Sequence, residues 1–483
     1  LTPHRDQAHH GHHTRASALG GPPGEARETN AEQLRRSEQL KHERAVRDWS
    51  KAQLIHALRL AAAEDDVTLP SDASISRRIA MWENQGVAPD DLYARLLCRA
   101  YDKSPAGLCL PQAQALGESV PGAEYPETPE EALTTVARLW RADLDQAGAL
   151  LAVAPSAGSS DAASVEWLTS DEPVPMPEHT SGIRVGLRDV QRVKATTDMF
   201  AAMDDSYGGG HARPMLMQYL NSEVAGLLTG RYTDAVGRAL FSVVAEATLL
   251  AAWMSYDTAH HGIAQRYFVQ ALRLAQDGGD RRLAGSILSA MSHQATFLGN
   301  FREATRLARA AQLGIARVAT PTLRAQFHAM EARGLSGAGD IRGAEAALAR
   351  SASALEAQRL EDEPEWITYF DAAELAAEAG HCFRDLAKAK QAVTHAVSAS
   401  SGHVRSDFFV SMVLADAHLT AGDLEAACNV ALDALDAGEQ LKSARALTYV
   451  RDFRQHLAPY AETAAARDLS EQAADYRLWN RSS

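Results

Sequence analysis

Arg44-Ala45-Val46-Arg47-Asp48-Trp49-Ser50-Lys51-Ala52-Gln53-Leu54-Ile55, followed later by Ile75-Ser76-Arg77-Arg78-Ile79-Ala80-Met81-Trp82-Glu83-Asn84, decides how the first part of this chain folds. Ser50 is a strong N-cap residue and Gln53 follows three positions on. The pair predicts a capping box, with Trp49 and Leu54 placed for a hydrophobic staple across the same turn. Leu54, Ile55 and Leu58 give the helix that follows one apolar face. Ile75, Ile79 and Trp82, spaced i, i+4, i+7, give the next helix another. On a helical wheel Arg77, Met81 and Asn84 then point away from that core, with Ser76 and Ala80 on one shoulder and Arg78 on the other. Two such helices predict a compact helix-turn-helix unit inside a five-helix domain spanning residues 36–110. The connection Ala61–Ser71, with Glu64-Asp65-Asp66, is longer and more acidic than a tight turn needs. Pro89-Asp90-Asp91 starts a fourth helix and Ser104-Pro105 caps a fifth.

Beyond this unit the pattern remains helical. From Gly186 onward, Gly or Asp punctuates one helix after another, and a template recurs: Gly, any residue, a large apolar residue, two others, Ala. It occurs at Gly230-Arg231-Tyr232-Thr233-Asp234-Ala235, Gly299-Asn300-Phe301-Arg302-Glu303-Ala304, Gly339-Asp340-Ile341-Arg342-Gly343-Ala344 and Gly422-Asp423-Leu424-Glu425-Ala426-Ala427. Weaker copies centre on Ala264 and Ala392, so the anchoring alanines are 29, 40, 40, 48 and 35 residues apart. In physical terms Gly turns the chain between two helices, the apolar residue staples the turn and Ala lets the helices approach closely. This resembles the tetratricopeptide repeat, a helix-turn-helix of about 34 residues. The fold class expected is therefore all-α: an N-terminal helix-turn-helix domain and a tetratricopeptide-like α-solenoid over residues 186–460.

The remaining segments carry less pattern. Residues 1–35 are expected as a disordered tail. Residues 111–185 are expected as a linker with one docking helix, Glu131–Leu151, between low-order stretches at 112–129 and 155–182. Residues 461–483 are expected as a C-terminal tail. His9-His10-Gly11-His12-His13 has metal-ligand chemistry but sits in the tail, which fixes no geometry, so no metal is assigned.

The formal net charge is −14, and it is unevenly placed. Residues 1–110 hold 15 Lys+Arg and 15 Asp+Glu, so the other 33 basic and 47 acidic residues carry the whole excess. An acidic body repels DNA, so any nucleic-acid contact belongs to the first domain. The longest apolar window, Ala235–Tyr256, contains Arg238 and Glu246 and reads as buried helix, with no membrane partner implied. No basic-then-apolar signal pattern opens the chain. Cys98, Cys109, Cys382 and Cys428 are too scattered for a disulfide framework or zinc site and read as reduced, buried thiols, which suits the cytoplasm. There is no phosphate-binding GxxxxGK, no GxSxG and no HExxH, and His260-His261 and His381-Cys382 fall within helical repeats. Neither a catalytic constellation nor a cofactor is assigned.

The first quoted stretch resembles, residue by residue, the helix-turn-helix of the phage-repressor-like XRE family. The family's helix-one Arg, seven positions before helix two, matches Arg44. Its late helix-three Glu matches Glu83, and the resemblance implies a structural ion pair between them. The family's DNA-facing positions fall on Ser76, Arg77 and Met81, with Arg78 on the shoulder, and its phosphate-contacting helix start falls on Ser50 and Lys51. Met81 stands where a polar base reader is common, and Gln85-Gly86 replaces the usual single Gly.

Together the two parts resemble actinobacterial regulators with an XRE-type N-terminus and tetratricopeptide-like repeats. The likeness is strongest in Ile75–Asp102, Gly209–Pro214, Gln265–Leu272 and Ser292–Ala295. That resemblance implies a cytoplasmic, homodimeric transcription regulator that binds operator DNA and represses antibiotic production or sporulation, as in Streptomyces-like bacteria. The repeats would sense a peptide, small molecule or protein; in distantly similar Firmicute regulators the superhelix binds a signalling peptide. The alternative is a tetratricopeptide adaptor whose helix-turn-helix is a structural cap.

Overall fold

Capped helices make up the regular structure among the described residues, and the one β contact is an isolated bridge between Arg184 and Arg231. The all-helical class expected from the sequence is what the structure, a computed structural model, shows. It describes residues 30–47, 49–64, 69–101, 103, 106–110, 120–145, 150–151, 153–170, 176, 182–400 and 402–482. Of the tail expected over 1–35, residues 1–29, with the His9–His13 cluster, lie outside the described residues, as do Asp65-Asp66 and Ser104-Pro105; residues 30–35 instead open the helix Asn30–Val46.

The chain divides into two compact units, Leu1–Pro89 and Asp90–Ser483. In the first, α1 (Asn30–Val46) and α2 (Lys51–Glu64) both pack on α3 (Asp72–Gln85). Leu40, Leu54, Ile55, Leu58, Ile75, Ile79 and Trp82 are among its buried apolar side chains.

The second unit starts with α4 (Asp91–Tyr101), α5 (Pro129–Asp145), α6 (Ser159–Thr169), α7 (Leu187–Tyr207) and α8 (Gly209–Tyr219), which runs on through a π-turn to Leu228. A long row follows: α9 (Asp234–Asp257), α10 (His261–Asp277), α11 (Arg281–Phe297), α12 (Phe301–Gly314), α13 (Pro321–Gly337), α14 (Ile341–Leu355), α15 (Ala372–Asp385), α16 (Ala389–Val397), α17 (Val404–Ala421), α18 (Leu424–Ala437) and α19 (Ala444–Leu457). From α9 to α18 each helix packs on the next, and α9, α11, α13, α15, α17 and α19 also pack on one another in sequence. These six form one continuous inner row.

Six turns in this row share one motif. At Ala259, Gly279, Gly299, Gly339, Ala387 and Gly422 a left-handed residue (φ 55° to 85°) closes the previous helix. The next residue's N–H then reaches the carbonyl five positions back, as in Asp280 N to Ala275 O at 2.9 Å and Asp423 N to His418 O at 2.9 Å. This is the Schellman closure, which satisfies carbonyls the helix end would leave bare. Asp280, Asp340 and Asp423 at once cap the next helix with their side chains. Gly-Asp therefore ends one helix and starts another within two residues.

The repeat template holds in part. Ala264, Ala304, Ala344, Ala392 and Ala427 are fully buried, but Ala235 is exposed. Gly230 lies next to the bridge residue Arg231, α9 begins behind a Thr233 cap, and the buried small residue is Gly237 beneath the Tyr232 ring. The first copy is thus a chance match in sequence.

Contrary to the low order expected across 155–182, Ser159–Thr169 is a helix whose Trp167 is completely buried. The cause lies on α10. Gln265 exchanges two hydrogen bonds with the Ser156 backbone (2.7 and 3.1 Å). Gln270 donates to the Gly122 and Glu124 carbonyls (3.1 Å each) and Arg273 to that of Pro126 (2.8 Å). Side chains from the row satisfy the backbone of this segment, so it needs few apolar residues to be ordered. Asp143 of α5 adds a buried network, accepting from Arg213 of α8 and Tyr267 of α10 at 2.5 Å each.

The residues expected as a C-terminal tail are also folded. α20 (Ala464–Gln472) and α21 (Arg477–Arg481) bury Leu469, Leu478 and Trp479, and the Arg454 guanidinium lies 4.5 Å from the Trp479 ring centre.

The end of the row touches its start. α17 packs on α7, where Arg405 holds Asp204 (2.6 Å) and Asp205 (3.0 Å). The Lys442 N–H donates to Tyr207 O (2.8 Å), and Lys442 O accepts from Gly210 N (3.0 Å). A Cβ on residue 210 would sit 2.9 Å from that carbonyl oxygen, so only glycine admits the contact. The Ser443 hydroxyl completes the seam by donating to Asp257 at 2.9 Å.

Among the described residues one helix, α9, is long and apolar enough to cross a bilayer. Its Leu240, Phe241, Val244, Ala251 and Met254 are instead fully buried in the protein. None of the four cysteines is in a disulfide; Cys382 and Cys428 are buried as expected, Cys98 and Cys109 only half-buried, and burial pushes the Cys98 and Cys382 thiols up to about 12.

Candidate nucleic-acid interface

The turn into α2 is built from short-range bonds. The Ser50 N–H donates to Gln53 Oε1 (2.7 Å) and the Gln53 N–H to Ser50 Oγ (3.3 Å), which makes both halves of the capping box. Arg44 Nη1 donates to the Trp49 carbonyl at 2.9 Å, tying the same turn to α1. Arg59 of α2 binds Asp72 and the Pro70 carbonyl, fixing the far end of the acidic connection.

The structure brings Arg44 and Glu83 together as a bidentate pair, with Nε to Oε1 at 2.7 Å and Nη2 to Oε2 at 3.0 Å. Glu83 keeps 4% of its side chain exposed and Arg44 24%. Two further bonds clamp the same end of α3. Arg36, almost completely buried, donates to the Gly86 carbonyl at 2.6 Å, and the Ser37 hydroxyl donates to the Glu83 carbonyl. Gly86 has φ 64°, and a Cβ there would lie 2.1 Å from the Gln33 carbonyl oxygen. The double residue Gln85-Gly86 therefore ends α3 against α1 at a spot open only to glycine.

Arg36 and Ser37 carry no apolar periodicity. They nevertheless belong to a helical stripe on α1, Arg36, Ser37, Leu40 and Glu43, that is buried along its length. The available signal was the i, i+4, i+7 spacing of that stripe; its polarity hid it.

With its buried side held in this way, α3 turns a polar face outward. Arg77 and Arg78 are exposed, Met81 is 42% exposed, Asn84 is exposed and Ser76 is half-buried. At the start of α2, Ser50 is exposed and Lys51 half-buried. The candidate residues thus fall on two elements, four along α3 and two at the N-terminus of α2. A helix of this length spans about 20 Å and fits a DNA major groove, while a helix N-terminus with a lysine suits a phosphate.

Comparison with protein-family models, with curated proteins and with solved structures finds no match. The functional reading rests on geometry and sequence resemblance alone. Among the described residues no three His, Cys, Asp or Glu side chains converge as a metal-ligand set.

Proposed function

We propose that this chain is a cytoplasmic, homodimeric DNA-binding transcription regulator, a repressor of secondary metabolism or differentiation, with a ligand-sensing tetratricopeptide-like domain. The observation that carries the reading is α3. It buries Ile75, Ile79, Trp82 and Glu83 against the rest of its unit and leaves Arg77 and Arg78 exposed on a rigidly clamped helix. That division of labour is what a recognition helix requires, with one face for support and the other for base edges. Support for the repeat reading comes from the six shared turns and from the inner row of packed helices. A single helix-turn-helix contacts few base pairs, so a two-fold dimer on paired half-sites is part of the proposal.

The test is binding to the protein's own promoter region at two salt concentrations. Arg77→Ala should lose specific protection, because an Arg–guanine pair contributes about 1–3 kcal/mol of discrimination. Lys51→Ala should weaken all DNA alike and shallow the salt slope by about one unit. Unchanged footprints in Arg77→Ala would remove α3 as the reading element. No salt-dependent binding at all would leave the adaptor, with the first unit as a cap.

A further inference from the structure

Arg445, in the first turn of α19, is 8% exposed, yet its guanidinium donates no hydrogen bond to any described residue, and its Nε is fully enclosed. The carboxylate in range, Asp257, lies 3.9 Å from Nη1 and already accepts from the Gly209 N–H and the Ser443 hydroxyl. Aromatic rings wall the guanidinium in. Its carbon is 4.6 Å from the Tyr256 ring centre, 4.5 Å from Phe409 and 5.8 Å from Phe297. Ring faces attract the charge but accept none of its in-plane donors. A buried cation with its donors unused is costly, and native proteins rarely keep one without a partner.

Two neighbours each leave one polar atom without a partner. His381, 6% exposed, has no partner for Nδ1 and stands edge-on to Tyr449, whose ring centre is 4.9 Å from that of Phe409. Arg333 pairs with Glu378 through Nη1 at 2.5 Å, but its Nε has no partner. His293 meets the Tyr256 hydroxyl at 3.1 Å. Tyr256, His293, Arg333, His381, Phe409 and Arg445 come one each from α9, α11, α13, α15, α17 and α19. Every member of the inner row contributes a side chain, and the seam at Lys442 brings the last helix to the first. Burial, reinforced by the nearby arginines, holds both imidazoles well below their ordinary range, so each is neutral with one N–H to give.

We infer that this cluster is a binding site for the oxyanion of a small molecule, a carboxylate or phosphate. The inference rests on reading the second unit as a sensor and gives its ligand a chemical class. Asp257 answers the Arg445 charge only from 3.9 Å, so the guanidinium keeps its donors for an oxyanion. A guanidinium fork matches an oxyanion in a bidentate way. The depth of Arg445 excludes a DNA phosphate as the occupant.

The experiment is thermal melting of the full chain with benzoate, phenyl phosphate or inorganic phosphate as probe. Binding to the folded state raises the melting temperature saturably. A larger rise with benzoate identifies a carboxylate, and a larger rise with phenyl phosphate identifies a phosphate. Arg445→Met should lose the response. Arg445→Lys, which keeps the charge but not the fork, should bind about tenfold more weakly. The proposal is overturned if no probe shifts the wild type, or if Arg445→Met responds as wild type does. No arm uses DNA. A protein that responds to probes but binds no promoter keeps this site and ends the regulator reading, and the reverse result does the opposite.

Discussion

α3 and α10 are built from similar letters and do opposite things with them. Each is amphipathic by sequence and carries two arginines beside polar amides. α3 buries one stripe of four residues and shows its arginines to solvent. α10 buries fifteen of its seventeen residues, and its Gln265, Gln270 and Arg273 grip the backbone between Gly122 and Ser156. A polar helix face therefore has no fixed meaning. What lies opposite decides whether it is an interface to water or a set of hooks for another part of the chain.

The sharpest way to break this comparison is Asp143→Ala. It would strand buried Arg213 and the Tyr267 hydroxyl of α10, and should cost about 3–5 kcal/mol. Denaturant titration followed through Trp140 and Trp167, both buried in this region, reads it directly. An unchanged midpoint would mean that α10 does not hold residues 120–170.

Glu83→Ala should cost somewhat less, about 2–3 kcal/mol, because Arg44 keeps a quarter of its side chain in solvent and is only partly stranded. Faster hydrogen exchange across Asn30–Gln85 is the signature. Arg44→Met with Glu83→Leu should recover part of the loss, and a Glu83→Ala protein that exchanges like wild type would show the clamp to be decorative.

A pH series probes only buried groups. Burial, partly offset by Lys194 at 3.7 Å, pushes Glu246 on α9 up from 4.5 to about 7. The folded state then holds this proton more tightly than the unfolded state, so stability falls as pH rises through that interval. His260, His293 and His381 are held well below 6.5, first by burial, so they remove stability as pH drops below that value. Burial pushes Glu374 higher still, to about 8, so the second unit should melt lower at pH 8.5 than near about pH 6.5, as that carboxyl ionises. Glu374→Gln should flatten the alkaline side; an unaltered slope would put the titration elsewhere.

Ala387 occupies a left-handed turn at φ 55° where four of its counterparts are glycine. Ala387→Gly should stabilise by about 0.5–1 kcal/mol, seen as a raised denaturant midpoint, since relief of strain exceeds the entropy lost. The smallest effect belongs to the face turned outward: Arg77→Ala should leave stability within about 0.5 kcal/mol of wild type. A larger loss would show that α3 uses that face for support, and the contrast with α10 would collapse.

Legibility followed the kind of contact involved. The capping box at Ser50 and Gln53 and the split faces of α3 depend on neighbours a few residues apart, and such spacing is plain in a sequence. The Arg44–Glu83 pair spans 39 residues and was reachable only through family resemblance. Arg36 and Ser37 escaped because a buried polar stripe looks like a solvated one. α6 escaped for the complementary reason: its order comes from side chains of α10 about a hundred residues away. Gly-based punctuation found the turns at Gly299, Gly339 and Gly422. It missed Ala259 and Ala387, where alanine takes the same strained conformation, and it misled at Gly230.

The grip of Tyr207 and Gly210 on Lys442 gives the second unit a fixed membership. An open row of repeats can lengthen or shorten by duplication, because each unit touches only its neighbours and the ends are free. Here, inserting one more helix pair would displace α17 from α7 and Lys442 from Tyr207 and Gly210, strand Arg405 opposite empty space and pull Ser443 from Asp257. The closed seam also denies the chain a loose end from which to unzip. Its unfolding should therefore be one event where an open array would peel.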